Sequence, residues 1–196
     1  MITTEQIKEL REMTGVSIMQ CKKALEEAGG DKEKALFALR KKSKDIADKK
    51  DDRTLGASVV DAYIHSNKKV GTLIELSCET DFVARNEEFI GLAREIAMHI
   101  TAMSPEFVEE SQISEEARAK VTELFKKEVS ESGKSAELQA KMMEGKLNTY
   151  FAEKTLLLQP FVKNTDLTIK DLINGYVQKF GEKIAVTRFM RFSAAK

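Results

Sequence analysis

The hydrophobic period of this 196-residue chain changes abruptly at Gly56, and that change limits what it can fold into. Before Gly56, apolar residues recur three and four apart, as on helices with one buried face. Just after it they alternate, as on half-buried strands. A chain written in both periods is neither a pure bundle nor a pure sandwich. Only two prolines occur, Pro105 and Pro160, so long uninterrupted helices are allowed elsewhere.

The first 47 residues read as three short helices. Thr3 with Gln6 predicts a capping box, closed by an Ile2–Ile7 staple. Leu10 and Met13 continue that face, and Gly15 ends it. The same grammar repeats with Ser17 and Gln20 as a second box and Val16–Cys21 as its staple. Cys21, Ala24, Leu25 and Ala28 form the next buried stripe, and Gly29–Gly30 supply a left-handed stop. Asp31 caps a third helix carrying Ala35, Leu36, Ala38 and Leu39. From Lys41 to Asp52 nearly every residue is charged. Ile46 alone cannot anchor such a stretch, which reads as an exposed helical extension or linker.

Two strands follow, Ala57–His65 and Val70–Glu79, joined by the polar turn 66–69. In the first, Val60, Ala62 and Ile64 alternate with Val59, Asp61 and Tyr63; the pattern does not say which set is buried. In the second, Thr72, Ile74, Leu76 and Cys78 share a side. A third strand is predicted over Lys183–Phe192. Between them lie helices begun at Asn86, Ser114 and Ser135, the last with a possible break at Gly145, and a final one capped by Thr168. The predicted class is α+β: a three-helix module over 1–47, a charged linker over 48–56, and a core over 57–196. The core is a small three-stranded antiparallel sheet covered by helices.

Several chemistries are disfavoured. Thirty-two basic and 32 acidic side chains cancel, which argues against a generic nucleic-acid coat. Lys22, Lys23 and the lysines of 41–50 admit a DNA-binding reading, but Glu26, Glu27, Asp45, Asp48, Asp51 and Asp52 interleave with them as on a solvated face. Cys21, Cys78, His65 and His99 share no metal-type spacing, and the cysteines read as core thiols in a reduced compartment. Neither a phosphate-binding loop nor a dinucleotide fingerprint is present, so no cofactor is expected. No signal peptide or spanning segment is visible, which predicts a cytoplasmic protein with no membrane partner.

One segment resists the ordinary reading. Glu79-Thr80-Asp81-Phe82-Val83-Ala84-Arg85 joins a strand to a helix cap, where polar residues are usual, yet it holds Phe82 and Val83 in succession. Phe82 could fold back into the core. The alternative is a tip stiffened by Thr80 and Asp81 capping local donors, offering an aromatic plug to a partner.

Two long motifs carry a family resemblance: Leu10-Arg11-Glu12-Met13-Thr14-Gly15 continuing through Cys21-Lys22-Lys23-Ala24-Leu25 to Gly30-Asp31, and Glu75-Leu76-Ser77-Cys78 running into the segment just described. Ala62-Tyr63-Ile64-His65, Gln159-Pro160-Phe161-Val162 and Arg188-Phe189 add to them. The chain resembles bacterial elongation factor Ts, the guanine nucleotide exchange factor for elongation factor Tu. The resemblance implies a non-enzymatic binding protein whose 1–47 module is ubiquitin-associated-like. That module would grip the partner GTPase through Arg11, Ile18, Met19 and Lys22, with Ile18 replacing a frequent Met. Thr80, Asp81, Phe82 and Val83 would form the exchange element, Phe82 wedging between partner helices and Asp81 helping to dislodge its magnesium ion. Ser77 stands where Asn is more frequent. The chain lacks the second core subdomain and coiled-coil excursion of longer members, and shorter members tend to be homodimers; the C-terminal strand is the expected self-association edge. A ubiquitin-associated-type adapter remains the alternative among binding proteins.

Overall fold

The structure is a computed structural model that describes residues 2–194. Three helices come first: α1 (Thr4–Thr14), α2 (Ile18–Glu27) and α3 (Lys32–Asp48). They enclose a core of Leu10, Val16, Cys21, Ala24, Leu25, Ala35 and Leu39, with Ile2 and Ile7 packed at its edge. The Thr3–Gln6 capping box is complete. The Ser17–Gln20 box is only half formed: Ser17 accepts from the Gln20 backbone, while the Gln20 side-chain carbonyl accepts from Gln178 Nε2 at 2.6 Å. A tertiary partner has taken the group that a local cap would use.

Helix α3 runs unbroken to Asp48, so the first part of the charged stretch read as an exposed helical extension or linker is helical. Ile46 and Ala47 pack against the main core. Ser43 is buried, and its hydroxyl meets the side-chain carbonyl of Gln178. The expectation that Ile46 could not anchor this stretch fails because anchorage comes from another element, far along the chain.

The sheet has the order β1 (Ala57–Ile64), β2 (Val70–Cys78), β5 (Ile184–Ser193), and it is antiparallel throughout, as predicted. Ala62 pairs with Leu73, and Leu73 with Met190; a bulge interrupts the β2–β5 register beyond Glu75. Ile74, Leu76, Cys78, Ile184 and Val186 face inward onto α5 (Glu87–Met103) and α8 (Ile169–Phe180). On β1 the inward set is Val59, Asp61 and Tyr63, leaving Val60, Ala62 and Ile64 outside. Between α5 and α8 come α6 (Glu115–Ser130) and α7 (Ala136–Lys154), packed together over Val121 and Phe151. Gly145 does not break α7. A small hairpin, β3 (Pro160–Phe161) and β4 (Asn164–Thr168), was not foreseen.

Candidate functional site

Residues Asp81–Ala84 form α4, a single turn of helix between β2 and α5. Its side chains divide sharply. Val83 and Ala84 are buried in the main core, whereas Phe82 is 84 % exposed. Val83 therefore anchors the turn and does not belong to its outward face; of the two apolar residues only Phe82 faces solvent. Asp81 is also exposed and lies 3.8 Å from Arg85, one turn on.

The expected stiffening by local caps does not occur. Thr80 occupies the N-cap position but makes no side-chain cap bond. Its hydroxyl instead donates to Glu182 Oε1 at 2.6 Å. Glu182 Oε2 accepts from the backbone N–H groups of Glu79 (3.1 Å) and Thr80 (3.0 Å). The exchange is reciprocal, because the Glu79 carboxylate accepts from the Lys183 N–H at 2.6 Å and from Arg53 at 3.1 Å. The Lys183 N–H and, after it, Arg53 hold the Glu79 carboxyl below its usual range. Behind the turn, the buried Cys78 thiol donates to the Thr80 carbonyl at 3.3 Å, and burial followed by the Glu182 charge raises its pKa.

A second exposed group lies on the helical module. Met19 is 77 % exposed and Ile18 53 %, both in the first turn of α2. Lys22 follows Ile18 by one turn and faces Glu26 at 3.8 Å. Arg11 is exposed in the last turn of α1. Lys179 connects this region to the α4 end of the molecule. It pairs with Glu88 at the start of α5, while burial and then the nearby Arg11 charge lower its pKa. The neighbouring Gln178 is the residue bonded to Gln20. The last turn of α8 thus touches both the module and the start of α5.

A family model described as elongation factor TS matches residues 46–196. The chain belongs to the elongation factor Ts family. An elongation factor Ts of Carboxydothermus hydrogenoformans is 47 % identical over 192 residues, covering 98 % of this chain and 88 % of that protein. That of Thermosipho melanesiensis is 44 % identical over 196 residues, with both chains covered completely. The Thermodesulfovibrio yellowstonii protein of the same name is 46 % identical over 195 residues.

Within this elongation factor Ts chain, Ser77 is buried and its hydroxyl lies 2.5 Å from that of Thr187 across the β2–β5 bulge. A side chain so placed braces the sheet. Glu182, Lys183 and Arg53 escaped sequence reasoning altogether, since each meets its partner across a long stretch of chain and no local pattern marks it. Among the described residues, no cluster of three or more His, Cys, Asp and Glu side chains is arranged to hold a metal ion. No described helix is long and apolar enough to cross a membrane.

Proposed function

We propose that this chain is a nucleotide exchange factor that docks on GDP-bound elongation factor Tu and promotes GDP release so that GTP can bind. The exposure of Phe82 beside the buried Val83 carries the reading. A large aromatic held in water gains nothing for the free fold, whereas aromatics inserted into a partner's pocket dominate interface energies. Phe82 would enter the GTPase, and Asp81 beside it would disturb the magnesium coordination that helps hold the GDP phosphates. Arg11, Ile18, Met19 and Lys22 would supply the second grip, with residues 1–47 acting as a ubiquitin-associated-like module. No covalent bond changes. The factor works by differential binding, favouring the nucleotide-free partner, and by linkage its own affinity falls when nucleotide returns. Such a role belongs in the cytoplasm.

The experiment is release of fluorescent GDP from purified elongation factor Tu. Substoichiometric wild-type protein should accelerate it, and Phe82→Ala should slow it while the fold stays intact. No acceleration by the wild type would sink the reading; DNA retention with steep salt dependence would point elsewhere.

The same reading includes a homodimer. Val60, Ile64, Leu73, Met190 and Phe192 are exposed on the outer sheet face, with Arg188 and Glu75 paired beside them at 2.6 Å. A two-fold contact uses one patch twice, so a second copy covers this face without any further surface. Sedimentation should show a dimer for the wild type and a monomer for Leu73→Glu; a monomeric wild type at micromolar concentration would refute it.

A further inference from the structure

We propose that Glu182 is the positioning residue of the exchange segment: its carboxylate fixes the start of α4 and thereby the direction in which Phe82 points. The proposal rests on the exchange reading above. A one-turn helix is too short to hold its own shape in water, and its N-cap side chain contributes no cap bond. Phe82, being exposed, has no packing to orient it. Its direction is therefore set by the flanks of the turn. Downstream, Val83 and Ala84 are seated in the core. Upstream, Glu182 accepts three hydrogen bonds from Glu79 and Thr80, and behind them the buried Cys78 thiol adds one to the Thr80 carbonyl.

Two other segments close around that point. Glu79 returns the contact by accepting from the Lys183 N–H and from Arg53. Lys183 also reaches the carbonyl of Asp51, and Lys50 donates to the carbonyl of Gly181 at 2.7 Å. The strand that follows runs so close that a Cβ on Gly56 would sit 2.8 Å from the Glu79 carbonyl oxygen. Residues 50–56, 79–80 and 181–183 thus form one clasp beneath the turn.

The clasp lies at the surface, and the Thr80 hydrogen bonds are exposed. Water could satisfy those donors, and exposed charged contacts add little to stability. What water cannot supply is a fixed direction. Three charge-assisted bonds accepted by one carboxylate, the shortest at 2.6 Å, do supply it. A role in orientation therefore predicts a large effect on exchange with a small one on folding.

The test measures fluorescent GDP release from purified elongation factor Tu with the full chain as wild type, Glu182→Ala, Phe82→Ala and the double variant. Glu182→Ala should lower the saturating release rate about tenfold and leave the half-saturating concentration within about twofold, since the module's grip is untouched. Its Tm should fall by less than ~3 °C. The double variant should be no slower than Phe82→Ala alone, because both changes remove the same contribution. Wild-type exchange by Glu182→Ala, or multiplication of the two losses in the double variant, overturns the proposal. Normal exchange by Phe82→Ala overturns the exchange reading itself and the proposal with it. If Glu182→Ala does not fold, Glu182→Gln, which keeps the side chain's size and removes the second acceptor oxygen and the charge, runs the same cycle with the same outcomes.

Discussion

Thr14 and Gly175 meet backbone to backbone: a Cβ on Gly175 would lie 2.7 Å from the Thr14 carbonyl oxygen. That contact brings the end of α1 directly onto α8, beside the Ser43 and Gln20 contacts of Gln178. The helical module is seated on the core through a surface with no room for one methyl group.

Gly175→Ala should therefore destabilise the protein although alanine is the better helix former by about 1 kcal/mol. The atom in the way is backbone, so relief requires the helices to separate. We expect a net loss of about 1–3 kcal/mol in urea unfolding. Equal or greater stability would mean that the module re-seats freely.

Gln178→Leu tests the polar half of the same contact. It leaves the Gln20 side-chain carbonyl without the Gln178 donor and the buried Ser43 hydroxyl with only the Leu39 carbonyl. A cost of about 1–3 kcal/mol should appear in denaturant unfolding. Combined with Gly175→Ala the losses should fall short of additive, because both act on one interface.

Phe82→Ala and Val83→Ala should separate cleanly in stability. Phe82 is exposed and should move unfolding free energy by no more than about 0.5 kcal/mol. Val83 is 3 % exposed, and its truncation should cost about 1–3 kcal/mol. A large loss at Phe82 in chemical denaturation would place that ring in the core after all.

His99 supplies a pH dependence. It is fully buried, its Nδ1 accepts from the Val162 N–H at 3.2 Å, and its Nε2 donates to the Gln159 side-chain carbonyl at 2.9 Å. Burial lowers its pKa against a smaller opposing effect of Gln159. The folded state thus resists a proton that the unfolded state accepts below its ordinary value of 6.5. Stability from this group is undiminished above that pH and is lost as pH falls through it, by up to about 1.4 kcal/mol per pH unit. Urea midpoints from pH 7.5 down to 5.5, the interval on the order of one unit either side of that value, should decline for the wild type and flatten for His99→Gln. A flat wild-type profile would refute the assignment.

Much of this molecule is legible along the chain. The helices of the module, the Thr3 and Thr168 caps, the three strands and the Asn86 start of α5 all follow from neighbours within a few residues. The segment around Phe82 was legible as an anomaly, because two apolar residues stood where a turn should be polar. Its mechanics were not. Thr80 looks like a local cap, yet its hydroxyl goes to Glu182, and Gln20 looks like half of a capping box, yet its amide goes to Gln178.

By itself the sequence determined the long helices, the three strands of the main sheet, the α+β class and the family, since periodicity, capping and motif residues act locally. The tertiary structure alone decided which face of β1 and which side of the α4 turn are wet. It turned Val59, Asp61 and Tyr63 inward while leaving Val60 and Ile64 outside, sent Val83 inward and Phe82 outward, and continued α3 across a charged stretch to seat Ile46 and Ala47. Alternation says that two faces differ but not which one meets a neighbour. That choice belongs to contacts between residues far apart in the chain, where close packing and hydrogen-bond satisfaction are settled for the molecule as a whole.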